Sequence, residues 1–545
     1  MTSSLVSRRT LILAPAAALA ASPAWLHAQM HDGMDHGSAG MSGMPGMSGH
    51  AGHSQPQAAA TSGHGAEPLA PDSALPSGRP WRALTPLANS SRKPGVFRAR
   101  LTAAPTQVEF IPGRRTEVWA YNGLTPGPLI EVREGDRVEI EFVNHLPHPS
   151  TIHWHGLPVP ADQDGSPMDR VAPGARRLYR FTLPVGSAGT YWYHPHPHRM
   201  TAEQVFRGLA GALVVRAAGD PLAGLPERHL FVSDLKLTAD GRIPPNTVRD
   251  WMNGREGQFA LVNGQLRPLI SGQGAERWRI WNASSARFLR LSLGGQAFAQ
   301  VGTDGGLLPA ARTGLTELLL APAERAELFV SAADRARFEL AAETYDRGLM
   351  DLRHMMAGGD AEHRRLPPAP RRVLAQIQWQ PSAPSAPAVP TLPERLRAIR
   401  PLGEPRVQRQ VLFTEAMDME ALHGVDEQVY LRPQGLAFQV NGRLYDMDRI
   451  DFRSRRGEVE QWDIVNATDM DHPFHIHGTQ FQVVERVVDN VTTPEPVLAW
   501  RDTVNVRPAE IVRIRLAQEQ PGLRMFHCHV LEHEDLGMMG NLLVE

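Results

Sequence analysis

The 545-residue sequence contains a single cysteine, Cys528, and carries almost no net charge. One cysteine cannot form an intrachain disulfide, so the burial of apolar side chains must hold the fold together. The 56 Lys and Arg residues are balanced by 58 Asp and Glu residues, which leaves a net charge of −2. A chain without a basic excess lacks the electrostatic footprint of a nucleic-acid-binding protein, and we expect no nucleic-acid partner.

Long apolar runs are also missing. The strongest one, rich in Ala and Leu, ends near residue 21 and is shorter than the ~20 residues that cross a bilayer. It follows the twin-arginine pair Arg8-Arg9 and precedes a plausible small-residue cleavage site, Leu26-His27-Ala28. We therefore expect a twin-arginine signal peptide over residues 1–28, a periplasmic mature protein and no stable membrane anchor. A chance arginine pair before an apolar stretch is the alternative.

Residues 29–65 are a low-complexity segment without apolar periodicity, which predicts disorder. Thioether and imidazole groups suit Cu(I), so the segment is either a copper-collecting arm or a plain flexible tail. Together with the linker rich in Pro, Ala and Ser that follows, it fills residues 29–94. Its methionines and histidines are Met30, Met34, Met41, Met44, Met47, His31, His36, His50, His53 and His64.

One pattern occurs three times in the rest of the chain: an Asn-Gly turn, then a strand of alternating burial that ends in Asn. The turns lie at Asn122, Asn263 and Asn441, and the strands end at Asn144, Asn282 and Asn466. Short β-rich segments such as Gln107–Phe110 and Thr116–Tyr121 precede the first copy, and no helical stripe competes with them. The repeat predicts an all-β fold of three β-sandwich domains.

We place these domains at residues 95–218, 225–380 and 407–545, with a linker rich in Pro and Ala at 381–406. The first and third copies of the repeat run on into histidines. The middle copy runs into Ser284-Ser285-Ala286-Arg287 and has none. The middle domain is therefore expected to bind no metal.

The only cysteine stands in a compact group of soft ligands. Histidines flank it as His527 and His529, and His533 and Met538 follow. A thiolate, two imidazoles and a weak thioether are the ligands of a blue copper site. If residues 526–530 form a strand, Cys528 faces one way and its two histidine neighbours face the other, so one tripeptide can touch two metal centres. A buried free cysteine with incidental histidines is the alternative.

Three further His-x-His pairs occur, and His472 precedes the last of them. An isolated pair is weak evidence for a metal site, whereas four in one chain are specific. With their surroundings, the four blocks resemble the copper motifs of multicopper oxidases, the family of laccases and cuprous oxidases. The first three are Thr151-Ile152-His153-Trp154-His155-Gly156-Leu157, Gly189-Thr190-Tyr191-Trp192-Tyr193-His194-Pro195-His196 and His472-Pro473-Phe474-His475-Ile476-His477-Gly478.

The resemblance covers the chain from about residue 95 to the end. It implies three cupredoxin-like Greek-key β-sandwich domains with metals in the first and third, and four copper ions per chain. By resemblance the type 1 copper takes His472, Cys528, His533 and, as a weak axial ligand, Met538, for which Met539 is the competitor. The type 2 copper takes His153 and His475. The two type 3 coppers take His155, His194, His196, His477, His527 and His529, although a register shifted to His196 and His198 stays open.

Such a set implies an oxidase that takes single electrons from a donor at the blue copper and reduces O₂ to water at the other three. We expect the protein to be a monomer. The reaction also consumes protons, for which Asp164 and Glu534 are the candidate carriers, unless they are solvated loop carboxylates. The donor is either Cu(I), with a role in periplasmic copper detoxification, or a small phenol, as in a laccase. Possible contacts for Cu(I) are Asp469, Met470, Met355 and Met356.

Two alternatives belong to other functional classes, and a third is a different redox enzyme. A non-catalytic copper-binding or copper-storage cupredoxin protein would need no trinuclear site. A structural relative of the cell envelope would lack the histidines. A copper nitrite reductase would not need four His-x-His pairs. The copper content of the purified protein separates them.

Overall fold

The computed structural model describes residues 65–331, 336–356, 365–380 and 391–545. The predicted signal peptide and the Met/His-rich segment as far as residue 64 lie outside these described residues. None of the helices in the described part of the chain is long and apolar enough to cross a membrane. Residues 65–94 form isolated β-bridges to later parts of the chain, such as those between Leu69 and Thr238 and between Pro86 and Leu129.

The strands fall into three pairs of sheets. The first pair has the strand orders β2-β1-β4-β6 and β3-β8-β7-β5. Its strands are β1 Val96–Val108, β2 Thr116–Tyr121, β3 Gly127–Arg133, β4 Arg137–Asn144, β5 His153–His155, β6 Arg176–Thr182, β7 Gly189–His194 and β8 Gly211–Arg216.

The second pair of sheets has the strand orders β11-β10-β9-β13-β18-β15-β16 and β12-β20-β19-β14-β17. Its strands are β9 Glu227–Leu235, β10 Phe259–Val262, β11 Gln265–Leu266, β12 Leu269–Gln273, β13 Ala275–Asn282, β14 Leu289–Ser292, β15 Phe298–Thr303, β16 Gly306–Leu315, β17 Glu317–Leu320, β18 Arg325–Ser331, β19 Arg337–Glu343 and β20 Arg372–Gln380.

The third pair has the strand orders β22-β21-β24-β29-β26-β27 and β23-β31-β30-β25-β28. Its strands are β21 Val407–Met417, β22 Leu436–Val440, β23 Phe452–Ser454, β24 Val459–Asn466, β25 His472–Ile476, β26 Phe481–Val488, β27 Val491–Pro494, β28 Thr503–Val506, β29 Ile511–Ala517, β30 Gly522–Cys528 and β31 Met539–Val544. The fold is all-β, as the sequence predicts.

The Asn-Gly turns have the same conformation in all three pairs. Asn122, Asn263 and Asn441 have φ of 52°, 50° and 52°, and the glycine after each also has a positive φ. Asn and Gly tolerate this left-handed region, which a two-residue hairpin turn needs at both central positions. The side-chain oxygen of each Asn accepts a hydrogen bond from a backbone N–H of the preceding strand, at Thr102, Phe231 and Leu412 respectively.

The asparagines at the strand ends are equivalent as well. The side-chain amides of Asn144, Asn282 and Asn466 each donate to two backbone carbonyls, and each side-chain oxygen accepts from the N–H two residues on. In each pair, moreover, the strand that ends in Asn runs parallel to the first strand of that pair. The three copies of the internal repeat therefore share the same Asn hydrogen bonds as well as the same strand arrangement.

The described helices are short and lie in loops. They are α1 Thr201–Phe206, α2 Val248–Asn253, α3 Leu352–Met356, α4 Met419–Leu422 and α5 Leu531–Asp535, with 3₁₀ turns at Ala161–Gln163 and Pro167–Asp169. Helix α5 follows Cys528 and packs against α1 and α2. The side chain of Asp535 accepts hydrogen bonds from the N–H groups of Thr201 and Ala202, so α5 caps the start of α1.

Candidate metal centre

Strand pairing brings the four His-x-His segments together. Within the third pair of sheets, β25 lies antiparallel to β30, so that His475 is opposite His527. Within the first pair, β5 lies antiparallel to β7, so that His153 is opposite His194. Strand β30 ends at Cys528, two residues short of the predicted end. The three side chains nevertheless separate as expected, with the thiol on one side and both histidines on the other.

A thiol–imidazole site lies on the Cys528 side. The Sγ atom is 3.3 Å from His472 Nδ1, which is itself 3.3 Å from His533 Nδ1. The outer nitrogens are held by hydrogen bonds, His472 Nε2 to Thr468 Oγ1 at 2.8 Å and His533 Nε2 to the carbonyl of Met252 at 3.0 Å. Both imidazoles therefore direct Nδ1 lone pairs towards the sulfur, an arrangement typical of metal-binding histidines.

Burial raises the pKa of the Cys528 thiol well above its usual value. Without a metal the sulfur therefore stays protonated, because burial disfavours its thiolate. A bound metal ion would displace this proton and compensate the charge of the thiolate. The donor set of one sulfur and two imidazoles is the one that copper prefers.

The two adjacent methionines lie in different surroundings. Met538 belongs to the same apolar cluster as Cys528, and its carbonyl accepts a hydrogen bond from the Cys528 N–H at 3.1 Å. Met539 packs instead with Tyr445 and Met525 in a separate cluster. Of the two methionines, Met538 is therefore the better placed for the axial position.

A second group of donors contains all eight remaining predicted histidines, and every one of them is fully buried. Their nitrogens form three sets in which the donor atoms lie within 4.8 Å of one another. These sets are His153 with His155 and His475, His155 with His194 and His529, and His196 with His477 and His527. His155 belongs to two of these sets, so the donor atoms form one continuous cluster that could hold more than one metal ion.

The inner nitrogens of this cluster fit a metal. The outer nitrogens of His153 and His475 donate to the carbonyls of Asp164 at 3.0 Å and Asp502 at 2.8 Å. Several nitrogens have no hydrogen-bond partner among the described residues, which is costly for buried polar atoms. They are His153 Nε2, His155 Nδ1, His194 Nε2, His475 Nε2 and both nitrogens of His529. His196 differs, because its Nε2 faces His527 Nε2 at 3.2 Å and its unpartnered atom is the outer Nδ1.

Burial keeps these imidazoles neutral. It lowers the pKa of His155, His194 and His529 well below the usual value, and neighbouring histidines add to the shift. Burial likewise lowers the pKa of His527 to about 3. Neutral imidazole is the form that binds a metal, so the cluster is in its ligand form at neutral pH.

Both predicted proton carriers touch the cluster. The Asp164 carboxylate is 3.3 Å from His153 Nδ1 and 3.0 Å from His477 Nδ1. The Glu534 carboxylate is 3.2 Å from His527 Nδ1 and 3.5 Å from His196 Nε2. Each side chain is only 1% exposed, so neither is a solvated loop carboxylate. Burial, reinforced by Asp535, raises the pKa of Glu534 well above its usual value.

Other predicted residues lie outside the two donor groups. His198 lies against Tyr445, with ring centroids 5.2 Å apart, and joins none of the described donor sets, which argues against the shifted register. Asp469 is exposed, whereas Met470 is buried in the same apolar cluster as Cys528. Met355 and Met356 end helix α3, and their side chains lie outside the described part of the chain.

The structure adds two residues that the sequence did not point to. Asp502 binds His155 through its side chain, at 3.0 Å from Nε2, and His475 through its carbonyl. Glu415 lies near Asp469, and its Oε2 atom is buried without a partner among the described residues. Burial, and then Asp469, raise the pKa of Glu415 to about 7. No local motif marks either residue, because their roles depend on tertiary contacts.

Comparisons with known proteins agree with this chemistry. Residues 102–220 and 414–545 each match a family model described as multicopper oxidase. The multicopper oxidase mco of Staphylococcus haemolyticus is 30% identical over 454 residues, which cover 82% of this chain and 88% of that protein. A solved structure titled as a multicopper oxidase from Campylobacter jejuni, a metallo-oxidase, is 42% identical with a TM-score of 0.80. That match covers 88% of this chain and 98% of the other.

A relative that is named as a cell division protein has the same percentage identity to this chain. The cell division protein FtsP of Sodalis glossinidius is 30% identical over 473 residues, which cover 85% of this chain and 91% of that protein. Percentage identity alone therefore does not separate relatives named as oxidases from one named as a cell division protein.

Proposed function

The chain belongs to the multicopper oxidase family, and from this premise we propose that its donor is Cu(I) and that it detoxifies copper in the periplasm. As a family member it is a copper-dependent oxidoreductase that couples oxidation of a donor to reduction of O₂. The prediction of an all-β fold with cupredoxin-like sandwiches is confirmed. Copper, when bound, supplies the one-electron steps and the storage of electrons that O₂ reduction requires.

The proposed ligand sets are those given by the two donor groups. His472, Cys528 and His533, with Met538 as the axial group, would hold a type 1 copper. His153 and His475 would hold the type 2 copper. The remaining six histidines would hold the type 3 pair, which makes four copper ions per chain. Support comes from His472, His533, His153 and His475, whose outer nitrogens are hydrogen-bonded so that the inner ones face the proposed copper sites.

One observation carries the oxidase proposal. Cys528 reaches the first donor group, and its neighbours His527 and His529 reach the second. A covalent path of a few bonds thus joins a site that can accept single electrons to a site that can collect several. A storage protein needs no such link, so this geometry favours turnover over storage.

The two carboxylates are proposed to deliver protons. Asp164 contacts His153 and His477 on one side of the cluster, and Glu534 contacts His196 and His527 on another. Burial raises the pKa of Glu534, so this carboxyl can hold a proton away from bulk water and release it beside the histidine cluster. Although Asp164 is also buried, its contact with His153 lowers its pKa, so it can accept a proton and pass it on.

The choice of Cu(I) rests on the surroundings of the thiol–imidazole site. Met470, two residues before His472, and Met417 lie in or against the apolar cluster around Cys528. Glu415 and Asp469 place two carboxylates near one another at its edge. Thioether sulfur and carboxylate oxygen together suit a small cation better than a phenol ring. The Campylobacter jejuni structure, titled a metallo-oxidase, favours the same donor.

Oxygen uptake with Cu(I) or a bulky phenol as sole donor tests this proposal. We expect Cu(I) to support the faster uptake, and Glu415→Gln together with Asp469→Asn to slow uptake with Cu(I) while uptake with the phenol stays unchanged. The exposed turn residue Asp489 offers a matched control, because Asp489→Asn removes a carboxylate remote from these contacts. Deletion of residues 29–65 should also slow uptake at low Cu(I), if that segment collects copper.

Faster uptake with the phenol, unaffected by the double substitution, would make the protein a laccase-type phenol oxidase. The second candidate is a structural protein without turnover, and the relative named as a cell division protein motivates it. That role is favoured only if the purified protein binds no copper, whereas the oxidase binds about four ions, the number that the ligand sets provide.

A further inference from the structure

The middle pair of sheets, β9–β20, contributes no member to the metal-donor sets of the described residues, yet one of its side chains reaches the histidine cluster through a single intermediate. Arg325, the first residue of β18, is 1% exposed. Its guanidinium forms a two-point ion pair with Asp502, from Nη1 to Oδ1 at 2.7 Å and from Nη2 to Oδ2 at 2.5 Å. Asp502 in turn binds His155.

His155 has the opposite ring orientation from His153, His194 and His475. Those three direct Nδ1 outward to a backbone carbonyl and leave Nε2 for the cluster. In His155 it is Nε2 that faces outward, at 3.0 Å from Asp502 Oδ1 and 3.2 Å from Thr503 Oγ1, and Nδ1 is left without a described partner. A carboxylate can only accept, so it holds the proton on Nε2 and leaves the Nδ1 lone pair for a metal.

Asp502 reaches the cluster a second time through its backbone. Its carbonyl accepts the Nδ1–H of His475 at 2.8 Å, and the rings of His155 and His475 are stacked with centroids 3.8 Å apart and planes 15° apart. One residue therefore orients two adjacent rings that belong to different proposed copper sites. Any movement of Asp502 would tilt both.

Arg325 holds Asp502 from a rigid position. Its Nε donates to the carbonyl of Thr190 in β7, its Nη1 donates to the carbonyl of Ala323, and its backbone N–H donates to Asp304. The guanidinium thus bonds at once to the strand that carries His194 and to the carboxylate beside His155. A buried carboxylate requires such a cation, because an uncompensated buried charge is strongly destabilising.

Gly156, directly after His155, leaves room for this ion pair. Its φ is +85°, and a Cβ atom there would lie 2.1 Å from Asp502 Oδ2 and 3.0 Å from Arg325 Nη2. Only glycine combines that backbone conformation with so close an approach. The chain around His155 is therefore shaped to accept the Arg325–Asp502 pair.

We propose that Arg325 is a positioning residue which, through Asp502, fixes the tautomer and ring orientation of His155 and so gives the middle pair of sheets a role in building the trinuclear site. The proposal rests on the ligand assignment given under Proposed function. It does not depend on whether the donor is Cu(I) or a phenol.

The test compares copper binding at the two sites in Asp502→Asn and Arg325→Met. The blue absorbance of the thiolate site serves as an internal control, and copper content with the electron paramagnetic resonance and near-ultraviolet signals of the trinuclear site is the readout. We expect the blue absorbance to be retained and the affinity for the cluster copper to fall roughly tenfold to a hundredfold, the usual cost of losing a residue that orients a ligand. Arg325→Lys should lie between these variants and the parent, since it keeps the charge but not the two-point geometry.

A matched control lies in the same pair of sheets. Arg228 and Glu276 form another two-point ion pair, with Glu276 3% exposed, and the contacts of this pair include no histidine of the cluster. Glu276→Gln should leave both sites intact. If Arg325→Met does not fold, the cluster signals of Asp502→Asn provide the test, because this substitution keeps the shape of the side chain.

Unchanged cluster signals in Asp502→Asn would overturn the proposal, and so would a loss of blue absorbance in parallel with the cluster signals, which would indicate general unfolding. The parent protein separates this failure from failure of the ligand assignment. If the parent itself lacks a trinuclear signal, it is the ligand assignment that fails.

Discussion

At the scale of single residues, the orientation of each proposed ligand depends on the hydrogen bond that its outer ring nitrogen makes. Thr468 and Met252 hold the Nε2 atoms of His472 and His533 by hydrogen bonds, and Asp502 holds Nε2 of His155 in the same way. These outer contacts decide which nitrogen is free, and hence where a metal can bind. The motifs identified from sequence supply the rings, and tertiary neighbours supply their orientation.

The first prediction concerns Cys528. Cys528→Ser keeps a small buried side chain but removes the thiolate, so we expect a folded protein without blue absorbance and without oxidase activity. Far-ultraviolet circular dichroism and visible absorbance measure the two properties separately. Oxidase activity that survives the substitution would contradict the assignment of the electron entry site.

The second prediction concerns Glu415 and pH. The pKa of its carboxyl is raised from 4.5 to about 7, so the folded state binds this proton more tightly than the unfolded state does. The free energy of unfolding therefore falls as pH rises between these two values, and the penalty is fully present above about pH 7. We expect Glu415→Gln to stabilise the protein by up to about 3 kcal/mol at alkaline pH and by almost nothing near pH 4.

Chemical denaturation at the two pH values measures this difference. A stabilisation that is equal at both would mean that titration of Glu415 is not its source.

At the scale of secondary-structure elements, helix α5 joins the donor groups to the surrounding loops. It carries His533 and Glu534 on one short turn, and Asp535 at its end accepts hydrogen bonds from Thr201 and Ala202 of α1. Because α1 has no side-chain cap of its own, its first N–H groups depend on this carboxyl group.

Loss of that contact gives the third prediction. Asp535→Ala should lower the free energy of unfolding by about 1–2 kcal/mol, the usual cost of a lost helix cap, and Asp535→Asn should cost less because its amide oxygen can still accept. Thermal unfolding of the three proteins at one pH checks this order. Equal stabilities would show that the contact between α5 and α1 contributes little.

A comparison of predicted and observed strand bounds shows how much of the fold the sequence predicts. Strand β2 was predicted at its observed bounds, Thr116–Tyr121, because its β-rich composition ends in an Asn-Gly turn. Strand β1 was predicted only as Gln107–Phe110, yet it spans Val96–Val108. The missed residues are most of the strand, and those from Val96 to Ala103 pair in parallel with β4, a partner distant in sequence that local composition does not reveal.

At the scale of the whole molecule, the three repeats have become specialised. All three keep the same turn and the same Asn hydrogen bonds, whereas only the first and third supply histidines to the described donor sets. Local motifs were enough to name the candidate ligands. The ion pair of Arg325 with Asp502 could not be predicted, because it joins residues 177 positions apart that belong to different repeats.

In the proposed reaction, electrons from a one-electron donor reduce O₂ fully to water. Its most direct test is the ratio of Cu(I) oxidised to O₂ consumed by the copper-loaded protein, together with an assay for hydrogen peroxide. We expect four Cu(I) to be oxidised for each O₂ consumed, the number of electrons in the reduction to water, and no hydrogen peroxide to form. A ratio of two with peroxide as the product would contradict it.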